Sequence, residues 1–117
     1  MNTTENNKII AEFMGAEIEG LNYRVIAYDN IKVCMHPNKL NYHKDWNWLM
    51  GVVEKIEGLN YDFQILGGCW VIIKDIDPDR KEGEEIIEVS KESKILTVYN
   101  ACVEFIKWYN ENGAKNN

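Results

Sequence analysis

The sequence predicts an α+β fold, a three-layer α/β/α sandwich in which three helices cover a mainly antiparallel sheet of about five strands. The first indication is segment 95–109, where apolar residues cover almost the whole helical circumference. The second is segment 69–76, whose alternate residues are apolar on both faces of a strand, which predicts a sheet covered on both faces. The polar residues of the last helix fall on one thin line, which consists of Thr97, Asn100, Glu104, Lys107 and Glu111.

The amino-terminal half predicts a helix followed by two strands. Thr3 or Thr4 can cap the helix, and Gly15 stands where a helix needs a left-handed residue at its end. Two runs rich in β-forming residues follow at 23–28 and 31–35. This half therefore contributes one amphipathic helix and one pair of strands.

The carboxy-terminal half predicts two helices with strands between them. The second helix runs from about 45 to 57, and Ser90 or Ser93 can cap the last helix by accepting its free amides. The strand patterns between these helices lie at 61–66, 69–76 and 86–89.

Length and composition predict one cytoplasmic domain. The 117 residues are expected to form a single domain over 1–117, with a frayed tail from about residue 110. No apolar run approaches the roughly 20 residues of a membrane span, and the amino end lacks the basic and apolar blocks of a signal peptide. The odd number and apolar surroundings of the cysteines predict reduced, buried thiols at Cys34, Cys69 and Cys102.

The charge balance argues against nucleic acid as a partner. The net charge is −6, and the chain contains only two arginines, Arg24 and Arg80, with scattered lysines. Binding of phosphate backbones requires clustered basic side chains. We therefore expect no nucleic-acid partner, and the lack of a long apolar run leads us to expect no membrane partner.

The second helix has an unusually wide apolar stripe, which Trp48 extends to more than half of the circumference. One interpretation is that Trp48 packs beneath a neighbouring loop as part of the core. The other is that Tyr42, His43 and Trp48 form an exposed patch that anchors a protein partner, since aromatic residues are favoured at such sites.

A possible metal site lies before and at the start of the second helix. Cys34, His36, His43 and Asp45 are residue types that bind zinc, and they occur within a short stretch. The spacing lacks any paired CxxC or HxxxH element, so these residues are only weak candidates, and no cofactor is expected. Solvated histidines and a core cysteine are the alternative.

Nothing in the sequence assembles a set of catalytic residues. Nucleophilic catalysis needs a Ser, Cys or Thr close to a histidine and an orienting acid. Cys69 and Cys102 lie on apolar faces, which would suppress thiol reactivity, and both histidines are distant in sequence from them. An enzyme is therefore less favoured than a binding protein.

Two helical stretches, 42–56 and 98–110, together with Phe13-Met14-Gly15, resemble the phage ABA sandwich domain family. Members of that family are small proteins carried by phages and mobile elements, chiefly of gut bacteria. The resemblance implies a three-layer fold and a bacterial host cell, and it carries no activity or catalytic residue.

Two functions remain open from the sequence. The first is a non-enzymatic accessory protein of a phage or mobile element that binds a host protein, a phage protein or a second copy of itself. The second is a metal- or small-molecule-binding protein that uses Cys34, His36, His43 and Asp45.

Overall fold

The computed structural model describes residues 3–26, 32–67, 70–76, 85–89 and 93–113. They form an α+β fold with three α-helices and two antiparallel sheets. The helices are α1 (Thr3–Phe13), α2 (Trp46–Gly58) and α3 (Lys94–Trp108). The strands are β1 (Glu17–Glu19), β2 (Asn22–Ile26), β3 (Lys32–Met35), β4 (Tyr61–Leu66), β5 (Trp70–Asp75) and β6 (Glu85–Val89).

Local chemistry accounts for several helix ends. The side chain of Asp45 accepts a hydrogen bond from the Asn47 amide at 2.8 Å, which caps α2. Ser93 caps α3 in the same way, with its hydroxyl 3.2 Å from the Leu96 amide, as the sequence predicts. Gly15 has a φ of 85° directly after α1, the left-handed conformation predicted for this position.

The strands pair within two separate sheets of three. In the first sheet the order is β1-β2-β3, and in the second it is β4-β5-β6. This differs from the single sheet of about five strands that the sequence predicts, and β1 was not predicted at all. The three-layer sandwich stays a prediction, because the described residues establish only the α+β class and the two antiparallel sheets.

The core lies between the helices and one face of the second sheet. This inner face presents the buried side chains of Tyr61, Phe63, Val71 and Ile73. Helix α2 contacts β4, while α3 contacts β5 and β6. Both sides of α3 are occupied, since α1 and α2 also contact it. The prediction that this helix is buried on most of its circumference is confirmed.

An aromatic cluster centred on Phe105 joins α1, β4 and α3. The Phe105 ring lies 4.8 Å from the ring of Tyr61 and stacks on Tyr109 at 5.6 Å, measured between centroids. Phe13 of α1 makes an edge contact with Phe105 at 6.3 Å. Phe105 has no solvent exposure, so its contacts connect helix to helix and helix to sheet.

Among the described residues, the opposite face of the second sheet is only partly covered, so the expectation of two covered faces is not confirmed. Val71 and Ile73 of β5 are buried, but Ile72 is half-buried and Trp70 is exposed. On β4, Leu66 is also exposed. Apolar alternation predicts that both faces favour burial, and within the described part of the chain α3 and α2 pack against the inner face.

Two smaller expectations are also corrected. Thr97 belongs to the predicted polar line but is buried, and its hydroxyl is satisfied by donating to the Ser93 carbonyl 2.8 Å away. Cys34 is exposed, although it was predicted to be buried, whereas Cys102 is buried as predicted. Residues 109–113 form a π-helical turn after α3, and the frayed tail expected from about residue 110 stays a prediction. Cys69, Ser90 and residues 114–117 lie outside the described residues.

We predict that Phe105→Ala lowers the free energy of unfolding by about 3–5 kcal/mol, because the aromatic contacts are lost and a cavity remains. The matched control is Lys107→Ala, at an exposed position on the same helix, which is expected to change it by less than about 0.5 kcal/mol. Urea denaturation of both variants measures the difference. Equal midpoints would contradict a core centred on Phe105.

Candidate functional site

Tyr42 and Trp48 lie in the core, so the structure corrects their interpretation as exposed anchors. Tyr42 is 2% exposed and Trp48 is 5% exposed. The two rings pack edge to face, with their centroids 5.1 Å apart. Burial raises the pKa of Tyr42 to about 12, which keeps its hydroxyl protonated. The alternative interpretation, in which Trp48 packs beneath the adjacent loop, is therefore the correct one.

His43 is half-buried and belongs to a hydrogen-bonded group that we call the Asn7 cluster: Asn7, the Leu40 carbonyl, His43 and Tyr99. The Asn7 amide nitrogen lies 3.1 Å from the Leu40 oxygen and 3.1 Å from Nδ1 of His43. The Tyr99 hydroxyl donates to the Asn7 amide oxygen at 2.9 Å. The cluster thus connects α1, the segment before α2, and α3.

The partners of Asn7 determine the tautomer of His43. The Leu40 carbonyl can only accept, so the amide group of Asn7 facing it must be the NH₂ group. The same NH₂ group therefore donates to Nδ1 of His43, and the proton of the neutral ring is on Nε2. A proton on Nδ1 would remove this acceptor.

Burial also favours the neutral form of the His43 ring. Desolvation lowers the pKa below its ordinary value of 6.5, and the neighbouring positive charge of Lys44 lowers it further. Tyr99, whose ring centroid lies 6.0 Å from that of His43, stays neutral because burial raises its pKa to about 12. The folded protein therefore favours uncharged His43.

Sequence reasoning missed Asn7, the central residue of this cluster. Asn7 lies three residues before Ile10, so it falls on the apolar side of α1. A polar residue on such a stripe indicates a buried hydrogen-bonding position, since burial of an amide is tolerated only with partners. Asn7 is 2% exposed and has three such partners.

The four weak metal candidates each have a different neighbour. The Cys34 thiol donates to Glu19, 3.6 Å away, and His36 Nδ1 accepts from the Asn38 amide at 3.2 Å. Asp45 caps α2, and His43 belongs to the Asn7 cluster. Within the described part of the chain, no group of three or more His, Cys, Asp and Glu side chains is arranged to hold a metal ion.

Exposed apolar side chains lie on the side of the second sheet that faces away from α3. We call this the outer sheet face: Leu66, Trp70 and Ile72, with Asp62, Gln64 and Lys74 at its other end. Trp70 is 49% exposed and lies directly opposite Leu66, which is 46% exposed. Ile72 is paired with Gln64 on one side and with Ile87 on the other.

The polar end of the outer sheet face contains an internal hydrogen bond. The Gln64 amide nitrogen donates to a carboxylate oxygen of Asp62 at 2.5 Å. Lys74 is the strand partner of Asp62 and also of Glu85 in the register. Along the strands, the outer sheet face therefore has an apolar end beside the β4–β5 connection and a charged end.

Comparisons with family models, with curated proteins and with solved structures give no match for this chain. Among the described helices, none is both long enough and apolar enough to cross a membrane.

We predict that acid destabilises the protein through His43. Because the pKa of His43 is lower in the folded state, the unfolded chain binds more protons between that lowered pKa and 6.5. The free energy of unfolding is therefore highest above pH 6.5 and falls as the pH is lowered through this window. Urea denaturation between neutral and mildly acidic pH measures the decline.

The chain offers a matched control, because His36 is its only other histidine. We expect His43→Gln to flatten the decline below pH 6.5, whereas His36→Gln leaves it unchanged. An identical pH profile for the parent and His43→Gln would contradict the assignment of a neutral, hydrogen-bonded His43.

Proposed function

We propose that this protein is a non-enzymatic protein-binding module that uses the outer sheet face. The observation that carries the proposal is the pair of half-exposed side chains, Trp70 and Leu66, on a regular strand face. Exposed aromatic and aliphatic residues that are contiguous on a rigid element are typical of binding anchors. Trp70 is the expected anchor residue.

The chemistry of the buried polar groups supports binding over catalysis. Burial raises the pKa of the Cys102 thiol well above its usual range, so this cysteine is not a nucleophile at neutral pH. The Tyr99 hydroxyl and the Asn7 amide are used in hydrogen bonds that connect secondary-structure elements. These groups stabilise the fold and are not accessible to a substrate.

We further propose that partner binding completes a three-layer arrangement. The inner face of the second sheet already has α3 packed against it, and an element bound on the outer sheet face would supply the third layer. This keeps the sandwich predicted from the sequence, with one layer supplied by the partner. A host or phage protein is the expected partner, in line with the resemblance to small phage and mobile-element proteins.

The proposal predicts that a partner is captured at position 70 and not elsewhere. Trp70 is replaced by a photo-crosslinking phenylalanine derivative, which preserves aromatic bulk, and irradiated in the native host cells. We expect one discrete crosslinked protein. The matched control places the same group at Ile18, which is 57% exposed on the first sheet.

A crosslinked product of the same mass and yield at both positions, or none at position 70, would contradict the proposal. A product consisting of two copies of this chain would assign the face to self-association and would replace the host or phage partner.

A further inference from the structure

We infer that segment 36–45 is a proton-sensitive latch: uptake of a proton by His43 favours release of this segment from α1 and α3 while the rest of the protein stays folded. The closed latch is held by Asn7 of α1, whose amide group contacts the segment at two places. The opening is distinct from the loss of global stability expected in acid, because α3 and the second sheet keep their structure while it occurs.

The hydrogen bonds described within segment 36–45 are local. The backbone amides that donate there belong to Lys39, Leu40, Lys44 and Asp45, and each acceptor lies three or four residues earlier. The two bonds from Asn7, to the Leu40 carbonyl and to His43, join the segment to α1. A segment attached in this way can open without breaking the strand ladders or the hydrogen bonds of α3.

The Asn7 amide cannot adapt to a protonated His43. Its NH₂ group lies 3.1 Å from the Leu40 oxygen and 3.1 Å from Nδ1 of His43. Rotation of the amide would turn its oxygen toward the Leu40 carbonyl and bring two acceptors together. A protonated imidazole carries N–H on both nitrogens, so neither orientation of the ring offers an acceptor. Proton uptake therefore removes one of the two bonds that hold the latch.

The segment's own charges favour the neutral ring. Burial lowers the pKa of His43, and the positive charge of Lys44 lowers it further. The carboxylate of Asp45 is used at the start of α2, where it accepts from the Asn47 amide at 2.8 Å. Nδ1 of His36 accepts from a backbone amide inside the segment.

The helices packed against His43 offer it no closer compensation among their described contacts. On α3, His43 faces Tyr99, which is neutral because burial raises its pKa to about 12. On α1, Glu5 and Lys8 pair with each other at 3.2 Å, and the group facing His43 is the uncharged Asn7 amide. A proton on His43 thus places a positive charge beside two neutral groups.

Opening of the latch exposes an apolar part of the core. Leu40 is fully buried, and Tyr42 packs against Trp48 with the ring centroids 5.1 Å apart. Release of the segment separates these two rings. The aromatic contacts of Phe105 are made with residues outside the segment, so the packing of α3 on the sheet is kept.

The test is amide hydrogen exchange followed by NMR at about pH 7 and pH 5.5, corrected for the intrinsic effect of pH on exchange. The amides of Leu40 and Asp45 report on the latch, and the amide of Val103, a buried residue of α3, reports on global unfolding. The parent protein is compared with His43→Gln, whose side-chain oxygen accepts from Asn7 without titrating. His36→Gln is the matched control.

We expect the opening constants of Leu40 and Asp45 to exceed that of Val103 by about tenfold or more at both pH values. In the parent protein and in His36→Gln they should rise about threefold or more on acidification, because the open segment binds one more proton. In His43→Gln the rise should be less than about 1.5-fold, since no proton is taken up at this position.

A second measurement needs no variant. In the parent protein, the opening constant of Leu40 should change over the pH range in which the His43 ring signal titrates, and not over the range of His36. Equal opening constants for Leu40 and Val103 would overturn the latch, because the segment would then open only with the whole molecule. The same rise in His43→Gln as in the parent, or a rise that follows His36, would overturn the role of His43.

Discussion

The arrangement of this protein depends on one buried amide. Asn7 can be placed in the core only if its donors and acceptor are paired, since an unpaired buried amide costs about 1–3 kcal/mol. Its three partners are the Leu40 carbonyl, His43 and Tyr99. Pairing all of them holds α1 against α3 and places the 40–43 segment, which leads into α2. Apolar contacts between the helices are non-directional, so these hydrogen bonds specify how the helices are aligned.

Apolar contacts supply most of the free energy that stabilises the fold, and the hydrogen bonds of Asn7 set the alignment in which these contacts form. Phe105 lies among the rings of Phe13, Tyr61 and Tyr109, and therefore couples α1 and the inner face of the second sheet to α3. All of this packing is on one side of β4 and β5. The other side keeps Trp70 and Leu66 in solvent, and this asymmetry is the physical basis for the proposed binding face.

Local signals predicted the elements well, because caps and periodicity depend on neighbouring residues. Ser93 and Gly15 are examples, and β4 begins and ends where its pattern predicts. Burial was harder to predict. The alternation along β5 identifies two apolar faces but does not show which one a helix covers, and the wide stripe at Trp48 does not distinguish a core from a binding surface. Strand β1 is missed because three exposed residues give no burial pattern.

If Asn7 aligns α1 with α3, then Asn7 and Tyr99 are energetically coupled across the two helices, and a double-mutant cycle measures this coupling. Asn7→Ala, Tyr99→Phe and the double variant are compared with the parent protein by urea denaturation. We predict a coupling energy of about 1 kcal/mol or more, since each substitution removes the same hydrogen bond. A cycle of Asn7→Ala with Glu104→Ala, at an exposed position of α3, should be additive. Additivity within about 0.5 kcal/mol for Asn7 and Tyr99 would show that this hydrogen bond does not align the two helices.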